Sequence, residues 1–205
     1  MGLLTLALII DIFAGDPAWL WKRAPHPVVL IGHIINGFDR FRDRDDVAVW
    51  ARRVGLENPQ MRAQIIGAIL LLFLLIVSVV IGRLIAGLGP LGWVLELILV
   101  AILIAQRSLY DHVARVVEAL KGQGLQAART HLSMIVGRDV SKLDESGISK
   151  AAIESLAENF SDGVVAPVLW YAVAGLPGIL FYKSVNTADS MIGHHNERFE
   201  HFGKP

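Results

Sequence analysis

The 205-residue chain is predicted to be an all-α, polytopic integral membrane protein with cytoplasmic helical segments and one broken or re-entrant membrane segment. Hydrophobic residues make up 54% of it and charged residues 19%, against about 25% charge in an ordinary soluble domain. The apolar excess is concentrated: residues 63–82 hold no ionisable side chain and residues 84–106 hold only Glu96. Each run is long enough for the roughly 30 Å hydrocarbon layer. No alternating apolar–polar stretch of useful strand length interrupts the helical patterning.

Along the chain, residues 1–13 form a short apolar segment, too short to span alone at about 1.5 Å per residue. It lacks a basic start and an A-x-A-like cleavage site, so it reads as retained rather than as a secretory signal. Residues 14–62 read as a cytoplasmic loop. It opens on Gly15-Asp16-Pro17, carries Trp19 and Trp21 as headgroup-level anchors, and continues through Pro25-His26-Pro27 to a mixed-charge patch at residues 39–62, expected to be solvated. Residues 63–105 are a transmembrane hairpin with Gly87, Gly89, Pro90 and Gly92 at its turn. Residues 106–162 are amphipathic cytoplasmic helices. The first carries Leu109, Val113, Val116, Val117 and Leu120 and stops at Gly122 and Gly124. The second runs from Leu125 to Val136. The third is capped by Ser146 or Ser149, with Ile153, Leu156, Ala157 and Phe160 on its buried stripe. Residues 163–182 are apolar but broken by Pro167 and by Gly175-Leu-Pro177-Gly178, which predicts two half-helices. Residues 183–205 form a polar tail. The whole reads as a single membrane-embedded domain, 1–205.

Composition excludes several classes. Nineteen basic and nineteen acidic residues cancel, which argues against a nucleic-acid partner. The absence of cysteine excludes disulfides and thiolate chemistry. Eight Lys/Arg in residues 14–62 and seven in 106–162, against Arg83 alone in the hairpin connection, assign both charged segments to the cytoplasmic side. No P-loop, dinucleotide fingerprint or nucleophile elbow is present.

Two polar constellations flank the broken segment. Glu154, Glu158 and Asp162 recur at i, i+4 and i+8, and no Lys or Arg lies within that run to relieve them. Like charges so placed repel by about 0.2–0.5 kcal/mol per pair. The alternatives are three exposed carboxylates or an oxygen-ligated divalent cation such as Mg²⁺. Beyond the segment, Asn186, Asp189 and Ser190 share a helical face. Re-entry would bring the two faces together; full crossing would separate them. Adjacent His194 and His195 diverge too far around a helix to ligate as a pair, so no direct role is expected of them. Arg107, Asp111 and Arg115 follow the second long run with His112 alongside, and Arg129 and Arg138 come later. These are either lipid contacts or guanidinium forks for phosphate.

Taken in order, these blocks resemble the adenosylcobinamide-phosphate synthase (CobD/CbiB) family of cobalamin biosynthesis. The blocks are Asp11 with Gly15-Asp16-Pro17, Pro25-His26-Pro27, Arg107-Ser-Leu-Tyr-Asp-His112, and Ala128-Arg129 before Ile135-Val-Gly-Arg138-Asp139. Then come Glu154-Ser-Leu-Ala-Glu-Asn159, Asp162-Gly163, Ala166-Pro167, Tyr182-Lys183, Asn186 and Asp189-Ser-Met-Ile-Gly193. The resemblance implies ATP-dependent ligation of aminopropanol, or its O-phosphate, to the propionate carboxylate of adenosylcobyric acid. It implies Mg²⁺ and ATP at a site facing the cytoplasm from the bacterial inner membrane. Glu154, Glu158, Asn159, Asp162 and His112 are then the candidate catalytic residues, and Glu158, Asp162 and Asp189 the candidate metal ligands. Asp16, Arg107, Arg129, Arg138, Lys183, Asn186 and Ser190 are the candidates for holding substrate and phosphate. The expected partners are the corrinoid, the amino-alcohol phosphate and the bilayer, with a homo-oligomer or association with other corrinoid-pathway enzymes left open. Family members continue with membrane-embedded sequence beyond Phe202-Gly203-Lys204, so the chain is expected to lack the family's C-terminal part. The rival functions are a non-catalytic pathway scaffold and a small-solute transporter. Transport is disfavoured because Glu96 is the only ionisable residue within the two long apolar runs.

Overall fold

The computed structural model describes residues 2–15, 18–53, 55–193 and 198–203. Its elements are α1 (Gly2–Ala14), α2 (Ala18–Trp21), α3 (Pro27–Arg42), α4 (Asp45–Arg53), α5 (Pro59–Ala86), α6 (Pro90–Leu103), α7 (Gln106–Gly122), α8 (Leu125–Leu132) and α9 (Glu145–Phe160). A π turn (Ser161–Val165) and α10 (Ala166–Ile192) follow. No strand occurs among the described residues. Three helical runs, Pro59–Ala86, Pro90–Gly122 and Glu145–Ile192, are long and apolar enough to cross a membrane, as a polytopic membrane protein requires. The chain gathers into two compact units: Met1–Pro17 with Leu97–Ala172, and Ala18–Glu96 with Val173–Pro205.

In the first unit, α7, α8 and α9 bury Val116, Ala119, Ala128, Leu132, Val140, Ile148, Ala151 and Ala152 against one another. Three sequence expectations fail here. The cap of α9 is Asp144, whose Oδ1 accepts from Gly147 N at 2.7 Å, rather than Ser146 or Ser149. Its buried face is Ile148, Ala151, Ala152 and Ser155, while Ile153 is 67% exposed and Phe160 is exposed too. The expected stripe is therefore turned outward. In a helix that continues into a candidate membrane span, small residues let neighbours approach, and large apolar ones suit the lipid side. α8 also stops at Leu132, four residues short of its expected end.

In the second unit the expected loop 14–62 is largely helical. Pro27 opens α3 at a position where its missing N–H costs nothing, and His26 Nδ1 accepts from Val28 N at 3.1 Å as the cap. The Trp21 indole packs against His26 at a tilt of 59°, with ring centres 4.4 Å apart. The Trp19 side chain lies outside the described residues. Asn58 caps α5, accepting from Gln60 N at 2.9 Å, with Pro59 in the first turn. At 28 residues, α5 is about 42 Å long at the standard rise. The core is Ile35, Val47, Ile66, Leu70, Leu74, Ala188, Ile192 and Phe202.

The mixed-charge patch is not wholly solvated. Asp39 and Arg42 are buried and joined at 3.1 Å. Arg198, 159 residues from Asp39 in sequence, closes the network by donating Nη2 to Asp39 Oδ2 at 2.7 Å. Charge spacing within residues 39–62 holds no trace of that remote partner. The Gly175 break is as expected: its φ of 63° and ψ of −152° interrupt α10, and Pro177 follows inside the second half. Glycine tolerates that left-handed φ at no steric cost. Gly82 of α5 meets the same feature, since a Cβ there would collide with the Pro177 ring.

Candidate functional site

The first unit assembles its polar residues around two features. At the first, α7 begins without a side-chain cap of its own. The carboxylate of Asp11, buried at the end of α1, supplies one: Oδ2 accepts from Gln106 N at 3.0 Å and Arg107 N at 3.2 Å. A carboxylate there satisfies orphan amides and complements the positive end of the helix dipole. Gln106 Nε2 donates to Leu8 O at 2.8 Å, and Ala105 N donates to Gly163 O at 3.0 Å. The start of α7 is thus fastened to both α1 and the π turn. Sequence reading placed no role on Asp11; the available signal was a single acid among thirteen otherwise uncharged residues.

This fastening uses the Arg107 side chain. Its Nε donates to Asp111 at 3.0 and 3.1 Å, and Nη1 donates to Ile12 O at 3.3 Å. His112 Nδ1 lies 2.7 Å from Ser108 O. A carbonyl can only accept, so Nδ1 carries the proton, and Nε2 of the neutral ring is left as a proton acceptor. Arg129 donates Nε to Leu143 O at 2.9 Å, holding the segment that follows α8.

The second feature is a hollow of about 280 Å³ between that segment and α9, lined by Gly137, Arg138, Glu154, Ser155 and Glu158 among others. Arg138 Nη2 contacts Glu154 Oε2 at 2.5 Å, with both side chains more than half exposed. The counter-charge missing from residues 154–162 therefore arrives from sixteen residues upstream, and repulsion at Glu154 no longer calls for a metal. Glu158 has no ion-pair partner among the described residues. Asn159 Nδ2 donates to Ser155 O at 2.8 Å and to Ser155 Oγ at 3.1 Å, and Ser155 Oγ donates to Ile135 O at 2.6 Å. This chain ties the α9 wall of the hollow to its loop wall. Beside Arg138, the Ser141 amide and hydroxyl donate to Asp139 at 2.9 and 3.0 Å and hold its carboxyl below the ordinary range. The turn is therefore bonded above that range and loosens as pH falls through the lowered value.

Asp162 stands on the π turn rather than on α9. The turn's wider register breaks the strict α spacing assumed for Glu154, Glu158 and Asp162, and such turns recur at functional sites. Lys183, Asn186, Asp189 and Ser190 belong to the second unit, on α10. Ser190 Oγ donates to Asn186 O at 3.0 Å, and Asp189 borders a hollow of about 140 Å³ with Leu70, Ala188 and Phe202. Asp16, His194 and His195 lie outside the described residues. Among the described residues no three His, Asp or Glu gather as a metal site. The sites that sequence reasoning missed are Asp11 and the Asp39–Arg42–Arg198 network.

A family model described as CobD/Cbib protein matches residues 4–205. The chain is 53% identical over 205 residues to a Sinorhizobium protein named Cobalamin biosynthesis protein CobD, covering 98% of this chain and 60% of that protein. A protein of the same name from Sinorhizobium fredii is 54% identical over 200 residues, covering 98% of this chain and 59% of its own. One from Rhodobacter capsulatus is 41% identical over 205 residues, covering 98% and 61%. The chain thus spans about 60% of the length of the curated relatives it matches. No solved structure matches it.

Proposed function

This chain belongs to the CobD/CbiB family, and from that premise we propose that it joins aminopropanol, or its O-phosphate, to the propionate of adenosylcobyric acid in an ATP-dependent step of cobalamin biosynthesis. The observation that carries the reading is the hollow in which Glu158, without an ion-pair partner among the described residues, stands one helical turn from the Arg138–Glu154 pair.

The chemistry sets what such a site must do. A carboxylate oxygen is a poor leaving group, so the propionate oxygen attacks the γ-phosphorus of ATP, the P–O bond to ADP breaks, and an acyl phosphate forms. The amine nitrogen then attacks the acyl carbon, the C–O bond to phosphate breaks, and one proton leaves the nitrogen. Glu158 is the base for that proton. Arg138, with only Nη2 engaged by Glu154, offers its remaining N–H donors to the phosphoryl oxygens. Asn159 and Ser155 position the two walls, and His112 Nε2 serves as a relay. Mg²⁺, when bound, neutralises phosphate charge. With Glu158 acting as the base, Asp162 is the carboxylate of this unit that would hold it, because Mg²⁺ commonly takes only one or two carboxylates and completes its shell with water and substrate phosphates. Lys183, Asn186, Asp189 and Ser190 stand on α10 of the second unit, where they are candidates for substrate and metal contacts of that unit. In the first unit Arg107 and Arg129, with N–H donors beyond those given to Asp111, Ile12 O and Leu143 O, stand beside Arg138 as further candidates for phosphate. The basic bias of residues 14–62 and 106–162 supports a site facing the cytoplasm of the inner membrane.

The test is rescue of a corrinoid auxotroph by this chain, with adenosylcobyric acid supplied, followed by turnover in isolated membranes. Glu158→Gln is expected to lower turnover at least about a hundredfold, the usual weight of a general base, at unchanged membrane abundance. Full turnover in that variant removes the site from the mechanism, and failure of the unaltered chain to rescue leaves the scaffold reading in its place.

A further inference from the structure

The second unit contains a hollow of about 430 Å³ where α5 begins, and no residue of the ligase reading lines it. Arg42, Arg62 and Arg198 surround it with His201 and with Gln60 of the first α5 turn, and Asp43 shares the wall. Two of the guanidinium groups are held from behind. Arg42 donates Nε to Asp43 Oδ1 and Nη1 to Arg198 O, both at 3.0 Å, pairs Nη2 with Asp39 Oδ1 at 3.1 Å, and places its guanidinium carbon 4.8 Å from the Phe202 ring centre. Arg198 spends Nη2 on Asp39 and Asp43, at 2.7 and 3.3 Å. The charges of these four residues cancel, leaving an oriented rim of donors.

Arg62 differs. Its Nε is buried with no hydrogen-bond partner, and no carboxylate pairs with it among the described residues. Native proteins rarely leave such a donor unsatisfied, and an ion is one of the ordinary explanations. The positive end of the α5 dipole adds to the unbalanced charge. A planar fork with no acceptor, at a polar hollow in the size range of ligand sites, suits a tetrahedral oxyanion taken through two parallel N–H bonds.

We propose that this hollow binds the phosphate group of a small phosphate ester, with Arg62 as the charged fork and Arg42 and Arg198 as the fixed rim. The site stands apart from the ligase reading, because its residues are different and its readout is binding. Exposed Glu200 at the rim opposes the anion. Because α5 is a candidate membrane span, the phosphate has two sources: a soluble ester or a phospholipid headgroup.

The test titrates inorganic phosphate into the purified chain in uncharged detergent by calorimetry. A parallel arm measures retention of phosphatidylglycerol against phosphatidylcholine by native mass spectrometry. Saturable phosphate binding assigns the soluble source, and selective phosphatidylglycerol retention assigns the lipid. In either arm Arg62→Gln weakens binding at least about tenfold, the worth of a charge-assisted hydrogen bond. Arg62→Lys, which keeps the charge and loses the fork, falls between. Glu200→Gln tightens binding. Arg44→Gln, which removes an equal charge from an exposed pair with Asp46, leaves binding unchanged. Elution of each variant at the position of the unaltered chain in size-exclusion chromatography shows that it is folded. Binding in neither arm, or binding that Arg62→Gln leaves intact in a folded chain, overturns the proposal.

Discussion

The two units treat the same chemistry, an arginine against a carboxylate, in opposite ways. In the second unit Arg42 and Asp39 have side chains only 8% and 12% exposed, and the pair is tied to Arg198 from beyond α10. In the first, Arg138 and Glu154 are 56% and 65% exposed and rim an open hollow. Removing one member of a buried pair strands an uncompensated charge, whereas an exposed pair contributes little because water and salt compete for both partners. A pair that contributes little to stability can exchange partners during a reaction; a buried one holds the fold together. Burial therefore separates the arginine available for chemistry from the one committed to architecture.

This contrast is open to direct attack. Arg42→Ala has the largest expected effect, a loss of about 3–5 kcal/mol in denaturant unfolding of the detergent-solubilised chain. A loss below about 1 kcal/mol would put this pair in the same category as the exposed one. Gly82→Ala comes next, because the added Cβ collides with the Pro177 ring. Overpacking of that kind costs about 1–3 kcal/mol, visible as a lowered melting temperature, and it probes the second unit without touching a charge. Asp11→Ala, removing a buried carboxylate from the first unit, is expected to cost about 1–2 kcal/mol. Asp11→Asn, which keeps an acceptor, costs less. Should Asp11→Ala prove neutral, burial is not the variable that separates the pairs. The smallest change in stability, under about 1 kcal/mol, is expected for Arg138→Gln, and the same variant should lose ligation. Full turnover with that variant would make the exposed pair as idle as it is weak.

What could be read from the sequence follows the same division. The long apolar helix α5 was visible because an uncharged run of 20 residues has few alternatives in water. The Gly175 break was visible because glycine and proline act locally. The Asp39–Arg42 network was not, since its third member lies more than 150 residues away, and local charge spacing cannot distinguish a solvated patch from half of a buried one. The α9 stripe was read inside out. Ala151, Ala152 and Ser155 do the packing instead, and small side chains of that kind give a hydropathy stripe little to show. At the candidate site, the carboxylate spacing of Glu154 and Glu158 was legible. The arrival of Arg138 was not, because it depends on how the segment between α8 and α9 folds back.

The carboxylate of residue 11 finishes a helix that starts 95 positions later. During synthesis α1 leaves the ribosome long before the amides it will serve exist, so the start of α7 stays unsealed until the helices between them have been made. An amino-terminal fusion or cleavage that displaced those few residues would act at a distance, loosening the entrance to α7 while leaving every residue of α7 itself untouched.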